Sequence, residues 1–254
     1  MYVDIDKIRV NYTIKGEGKP VILLHGWGGS IHSLTDLQYL LSQNFQVVNL
    51  DLPGFGDSSN PPSAWGSSDY AMFVNALIDK LKLSSPILVG HSNGGRIAVR
   101  FAIDFPSKAK SIVLIDSSGI KPVITGKRKL ASNLVQTGKS IFSLPILSSF
   151  EPIVKRTMYK SIGETDYLNS GEMKETFLKL INEDLENELE KINLPCLILW
   201  GKDDTQTPLW MGDRLNSKIK GSKLEVIENA GHSLPLKYPE LVKNKILEWD
   251  NGLD

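Results

Sequence analysis

The chain has 254 residues, of which 41% are hydrophobic and 23% are charged, and its 29 basic and 29 acidic residues give a formal net charge of zero. This composition is typical of a globular chain with a substantial core, and the charge balance gives no electrostatic basis for binding nucleic acid or an anionic membrane. Residues 1–6 lack the features of a signal peptide, and no apolar run approaches the roughly 20 residues that span a bilayer. We therefore expect a cytoplasmic protein with no nucleic-acid or membrane partner.

Strand and helix patterns alternate along the chain. Residues 8–15 and 21–24 are predicted as early strands, and the β-rich run at 45–50 ends before Pro53 and Gly54. Residues 70–81 then carry apolar side chains at helical spacing, as do residues 241–249 near the end of the chain. This alternation predicts the α/β class.

The motif Gly-His-Ser-Asn-Gly at 90–94 lies between the apolar run 86–89 and the helix-compatible segment 95–101. A Gly-x-Ser-x-Gly pentad in that setting is typical of a nucleophile elbow, in which a sharp strand-to-helix turn presents the serine above the sheet. The motif predicts Ser92 as a nucleophile at a helix N-terminus. There the backbone N–H of Asn93 could stabilise negative charge that develops on an acylated serine.

A serine nucleophile needs an imidazole to remove its proton and a carboxylate to orient that imidazole. In the elbow fold, the order along the chain is serine, acid, histidine. The apolar run 194–200 is followed by Asp203 and Asp204, and the run 223–227 is followed by His232. We predict His232 as the base and Asp204 as the acid, with Asp203 and then Asp116 as competitors for the acid role.

The remaining histidines have structural interpretations. His25 ends an apolar run, and we expect it to brace a loop through backbone hydrogen bonds. The glycines around Trp27 let the backbone approach a ligand closely, so the Trp27 N–H is predicted to complete the oxyanion hole with that of Asn93. His91 is part of the elbow itself, and His32 is expected on the surface.

Five motifs in this order resemble the α/β-hydrolase family. They are His-Gly-Trp-Gly-Gly at 25–29, Asp-Leu-Pro-Gly-Phe-Gly-Asp-Ser at 51–58, the elbow, Trp-Gly-Lys-Asp-Asp at 200–204 and Ala-Gly-His at 230–232. The resemblance implies a mostly parallel eight-stranded sheet flanked by helices, with a helical cap inserted after strand 6. It also implies that Asp51, Gly54, Gly56 and Ser58 hold a structural loop after the fourth strand. No cofactor or metal is predicted.

The segment 119–190 lacks a β-run and is predicted as the helical cap, or lid, on a core formed by residues 1–118 and 191–254. Its first half is basic and its second half is acidic. We expect two solvated helix faces, with recruitment of an acidic carrier protein or anionic substrate by the basic half as the alternative. The single cysteine, Cys196, lies in an apolar run and is predicted to be a buried thiol.

The predicted function is hydrolysis of a small or medium acyl carboxylic ester, by a Ser92-His232-Asp204 triad and an acyl-enzyme intermediate. Haloalkane dehalogenases and epoxide hydrolases of this fold have aspartate at the elbow, so Ser92 argues against both. Carbon–carbon bond hydrolases of ring-cleavage products share the triad but typically have tryptophan after the histidine, where this chain has Ser233. That activity, and a non-catalytic ligand-binding hydrolase-like protein, are the alternatives.

Overall fold

A single sheet of eight strands forms the centre of the described structure, a computed structural model that covers residues 1–121 and 170–253. The strands are β1 (Tyr2–Ile5), β2 (Ile8–Lys15), β3 (Pro20–Leu24), β4 (Gln46–Leu50), β5 (Ile87–His91), β6 (Ser111–Ile115), β7 (Cys196–Gly201) and β8 (Lys223–Ile227). Their order across the sheet is β1-β2-β4-β3-β5-β6-β7-β8. The β1–β2 and β2–β4 pairs are antiparallel and the other five are parallel, so the predicted mostly parallel sheet is confirmed.

Helices cover both faces of this sheet. In chain order they are α1 (Thr35–Leu41), α2 (Ser67–Leu81), α3 (Asn93–Asp104), α4 (Lys174–Asn182), α5 (Trp210–Lys218), the single turn α6 (Leu234–Lys237) and α7 (Pro239–Asn251). Short 3-10 helices occur at Ile31–Leu34, Gly171–Met173 and Glu186–Lys191. None of the helices in the described ranges has the length and hydrophobicity of a bilayer-spanning segment.

The core lies in two layers because successive strand residues face opposite sides of the sheet. Ile22 and Leu24 of β3 pack with the apolar faces of α2, α3 and α5. Val21 and Leu23 pack in a second cluster with α1, α6 and α7. Strands β3 to β7 are buried on both faces, which explains why most of them appear in the sequence as continuous apolar runs, whereas β8 at the edge of the sheet is partly exposed.

Strands β3 to β8 all point the same way, so the loops after them meet at one edge of the sheet. Ligands of open α/β sheets bind outside this carboxyl edge. The loops that follow β3, β5, β7 and β8 carry Trp27, Ser92, Asp204 and His232, respectively. Parallel topology therefore brings together residues as far apart in the chain as Trp27 and His232.

Most predicted elements are confirmed with small shifts at their ends. The strands at 8–15 and 223–227 have the predicted bounds, whereas α2 begins at Ser67 and α7 at Pro239, before their predicted starts. Strand β1 was not predicted, because it is short and mostly exposed. Cys196 is buried as expected, and burial raises the pKa of its thiol. Most of the predicted cap lies outside the described residues, and the described end of it, residues 170–190, is helical.

Candidate active site

The elbow between β5 and α3 holds Ser92 at φ 53° and ψ −114°, a backbone conformation that non-glycine residues rarely adopt. Its glycines are required by close contacts. A Cβ on Gly94 would overlap the carbonyl oxygen of Leu24, and a Cβ on Gly90 would overlap the backbone of Gly94. The helix can therefore begin directly above the sheet only because both positions lack a side chain.

Three side chains form a continuous hydrogen-bonded chain at the carboxyl edge. The Ser92 Oγ lies 3.0 Å from Nε2 of His232, and Nδ1 of the same ring lies 2.8 Å from Oδ2 of Asp204. The Asp204 carboxylate accepts a hydrogen bond from Nδ1–H, which keeps the ring proton on Nδ1 and leaves the lone pair of Nε2 free to accept the hydroxyl proton of the serine. This is the geometry that allows an imidazole to activate a hydroxyl.

Asp204 is held in its ionised form by several donors. Its Oδ1 accepts hydrogen bonds from the backbone N–H groups of Gln206 (2.8 Å) and Thr207 (3.0 Å), and its Oδ2 accepts one from the Thr207 hydroxyl (2.7 Å). Burial raises the pKa of Asp204, but the bonds and charge of His232 together with the Thr207 bonds offset it and leave the pKa below its usual range. Sequence reasoning did not find Thr207; its signal is a hydroxyl three residues after a carboxylate in a turn.

The two competing carboxylates occupy other positions. Asp203 is exposed, and its backbone N–H bonds to the carbonyl of Ala230 (2.9 Å). Asp116 is completely buried, and its oxygens accept the N–H groups of Gly201 (2.8 Å) and Leu234 (3.3 Å). Burial raises the pKa of Asp116 to about 7. Asp116 thus braces the loops after β6, β7 and β8, and Asp204 is the carboxylate on the imidazole.

The predicted oxyanion donors lie at the same edge. Asn93 begins α3, where the first N–H groups of a helix have no partner within the helix. In the described ranges, neither the Asn93 nor the Trp27 backbone N–H donates to another residue. The Trp27 indole packs against Phe55 and Phe177, with ring centroids 4.9 and 5.0 Å away. The roles of the two N–H groups stay a prediction.

His25 has the bracing role that the sequence predicted. It is completely buried, the Leu52 N–H donates to its Nε2 (3.0 Å), and its Nδ1 lies 2.7 Å from the carbonyl oxygen of Gly26. Because Nε2 accepts, Nδ1 carries the proton and donates it to that carbonyl. Burial lowers the pKa of His25, so the ring is neutral. His32 is exposed, as expected.

The loop after β4 is organised around the carboxylate of Asp51. The carboxylate accepts the N–H of Ile31 (2.6 Å), the side-chain amide of Asn11 (2.9 Å) and the N–H of Asp57 (2.9 Å), and the Ser58 hydroxyl donates to the Asp51 carbonyl (2.7 Å). Gly54 and Gly56 in this loop have positive φ values of 92° and 54°. The structural loop implied by the family resemblance is therefore confirmed.

His91 does more than form the elbow. Its Nε2 lies 2.7 Å from the backbone carbonyl oxygen of His232, and the two rings are 5.1 Å apart. Ligand atoms of His91, Asp116 and His232 also lie within 4.8 Å of one another. In the described structure these side chains hydrogen-bond to backbone groups or to the Ser92 and Asp204 side chains.

The acidic end of the predicted cap contacts the core through part of its charges, so the expectation of a solvated helix face holds only in part. Glu183 accepts the backbone N–H of Ser67 at the start of α2 (3.1 Å), and Glu188 pairs with Arg100 of α3 (2.6 Å). Two further pairs join Glu186 to Arg214 and Glu190 to Lys218. Glu183, Glu186 and Glu188 thus bind cations and an N–H group of the core that the sequence alone does not locate, whereas Asp184 and Glu190 are exposed. The basic half lies outside the described residues, so an acidic carrier stays a prediction.

Comparisons with known proteins find hydrolases among the chains that are similar to this one. The family model for the alpha/beta hydrolase fold matches residues 19–139. An uncharacterised hydrolase of Bacillus subtilis, YugF, is 27% identical over 96% of this chain and 95% of its own length. A 2-hydroxy-6-oxononadienedioate/2-hydroxy-6-oxononatrienedioate hydrolase of Pseudomonas putida is 25% identical over 97% and 93%. The solved structure of a thermophilic esterase from Thermogutta terrifontis matches with a TM-score of 0.76 at 22% identity, over 100% of this chain and 99% of that one.

Proposed function

We propose that this chain, which has the α/β-hydrolase fold, is a serine hydrolase that cleaves a carboxylic ester with a small or medium acyl group. The single observation that carries the proposal is the hydrogen-bonded chain from Ser92 through His232 to Asp204, at the carboxyl edge of the sheet. Acyl transfer needs a serine nucleophile, an imidazole that bonds to its hydroxyl and an ionised carboxylate that bonds to the imidazole. These three groups meet in this chain.

Each residue has a defined role in the proposed reaction. Ser92 Oγ attacks the ester carbonyl while His232 Nε2 takes the hydroxyl proton, and Asp204 stabilises the imidazolium that forms. The backbone N–H groups of Trp27 and Asn93 hydrogen-bond the oxyanion. The imidazolium then protonates the leaving alcohol, and a water activated by the same imidazole releases the acid from the acyl-enzyme.

Cleavage of a carbon–carbon bond is the second candidate, and the Pseudomonas putida relative favours it. A 2-hydroxy-6-oxodienoate can tautomerise to a ketone, and hydrolysis at its C6 carbonyl breaks a carbon–carbon bond instead of an ester bond. The same serine and histidine could serve that reaction. Ser233 stands where such hydrolases typically have tryptophan, which favours the ester.

One experiment separates these reactions. Hydrolysis of p-nitrophenyl esters from acetate to dodecanoate and of a 2-hydroxy-6-oxodienoate would be measured for the native chain and Ser92→Ala, with Ser107→Ala as the control because Ser107 lies in an exposed turn. We expect turnover of short or medium esters that Ser92→Ala abolishes and Ser107→Ala preserves. Faster turnover of the dienoate would support the second candidate. Binding of either substrate class without turnover would support a non-catalytic ligand-binding protein.

A further inference from the structure

We infer that His91, the residue before the proposed nucleophile, is a positioning residue that holds the loop carrying His232 in place. The inference rests on the proposed function, because it concerns the geometry of the same Ser92–His232 pair. The observation that carries it is the 2.7 Å contact between Nε2 of His91 and the backbone carbonyl oxygen of His232.

The direction of this hydrogen bond is fixed by chemistry. A backbone carbonyl can only accept, so Nε2 of His91 must carry the proton and donate it. The tautomer of His91 is therefore set by the very residue that it holds. His91 ends β5 and is followed directly by Ser92, so the strand that presents the nucleophile also fixes the main chain of the base.

His91 also contacts the loop of the predicted oxyanion hole. A Cβ on Gly26 would lie only 3.2 Å from Nδ1 of His91 and 3.2 Å from Cβ of Ser92. The backbone of Gly26 thus packs against the elbow, one residue before Trp27. The His91 imidazole thus binds the loop after β8 and lies beside the loop after β3, next to the nucleophile at the end of β5.

The charge state of His91 suits this role. Burial, with the neighbouring His232 second, lowers the pKa of His91 to about 4, against smaller opposing contributions that include Asp204 and the bond to the His232 carbonyl. The groups that face the ring, namely His25, Asp204 and His232, leave it neutral at the pH where an imidazole base works. A neutral donor holds the carbonyl without placing a second cation beside the imidazolium that forms during the reaction.

A matched pair of amides tests the inference. In His91→Gln the amide nitrogen can reach about the position of Nε2, whereas in His91→Asn it stops near that of Nδ1, and both side chains are neutral and polar. We expect His91→Gln to keep kcat within about fivefold and His91→Asn to lower kcat about 100-fold, the cost of a displacement of about 1 Å in a catalytic group. KM should change little in either variant. His32→Gln, at an exposed histidine, is the control.

Three readouts separate a positioning role from a general loss of folding. Melting temperatures would show whether the two amide variants fold equally well. The rate at which Ser92 reacts with a small fluorophosphonate would report on the serine–imidazole pair without dependence on the acyl group. The pH profile of kcat in His91→Gln should keep the single acid limb of the native enzyme. Equal kcat values for the two folded amides would overturn the inference while leaving the proposed function intact. A native chain that neither hydrolyses esters nor reacts with the fluorophosphonate would overturn both.

Discussion

Replacing Asp204 by Asn tests the assignment of the acid most sharply. The carboxylate lies 2.8 Å from Nδ1 of His232 and accepts three further hydrogen bonds from Gln206 and Thr207. An asparagine of nearly the same shape keeps much of this packing but removes the negative charge. It can also present an N–H group to Nδ1, which moves the imidazole proton to Nε2 and prevents that atom from accepting the proton of Ser92.

The expected loss follows from the distance. Two unit charges 2.8 Å apart attract by at most about 6 kcal/mol at an effective dielectric of about 20. Because each 1.36 kcal/mol of barrier is a factor of ten, a loss of that size lowers kcat about 10⁴-fold. The change in KM should be small, since the imidazolium forms only as the reaction proceeds.

The assay compares Asp204→Asn with Asp116→Asn on the best p-nitrophenyl ester, with urea denaturation of each. The Asp116 carboxylate accepts hydrogen bonds from the backbone N–H groups of Gly201 and Leu234 and makes none to His232 in the described part of the chain. Asp116→Asn leaves one of these N–H groups without an acceptor, so we expect it to cost about 1–3 kcal/mol of stability and to lower kcat less than about tenfold. If Asp116→Asn abolished activity and Asp204→Asn did not, the assignment of the acid would be wrong.

Three other variants probe the elbow, the cap and a buried imidazole. Gly94→Ala should prevent stable folding or lower the free energy of unfolding by more than about 3 kcal/mol, since its Cβ would overlap a carbonyl oxygen. Gly252→Ala should be tolerated, and urea denaturation of the two variants tests the difference. Phe177→Ala should cost about 3 kcal/mol of stability and lower kcat/KM by disturbing Trp27, and unchanged ester kinetics would contradict that coupling. His25 is neutral in the folded state, so the unfolded state binds more protons and the free energy of unfolding falls as pH drops below 6.5. His25→Gln should reduce the slope of this free energy against pH between pH 7 and 5. An unchanged slope would contradict a neutral His25.

Sequence patterns predicted the parts of the site that depend on local chemistry. The elbow glycines can be recognised in the sequence because a strand must turn into a helix within a few residues. The positions of Ser92, Asp204 and His232, each after a predicted strand, indicate that they meet at one edge of a parallel sheet. The sequence favours Asp204 over Asp203, because Asp203 can be interpreted as a turn residue whose side chain caps the loop. Only the structure provides the physical reason, which is that Asp204 is buried and Asp203 is exposed.

Contacts between distant segments could not be predicted. The hydroxyl of Thr207 on the acid and the bond from His91 to the His232 carbonyl join loops whose relative positions no local pattern encodes. The acidic run after residue 182 shows the same limit. In the sequence its charges are typical of a solvated helix face. The structure shows that Glu188 pairs with Arg100 and that Glu183 accepts an N–H group at the start of α2.

The central claim is that Ser92 forms the covalent intermediate. The most direct measurement is mass spectrometry of the native chain quenched during turnover of a p-nitrophenyl ester, with peptide mapping of the acyl group. The account predicts an added acyl mass on the peptide that contains Ser92 and no such mass in Ser92→Ala. In His232→Gln acylation is slow, but the acyl-enzyme that does form should accumulate, because the imidazole that activates the hydrolytic water is missing. Turnover of the ester with the acyl group on another residue, or undiminished turnover by Ser92→Ala, would contradict it.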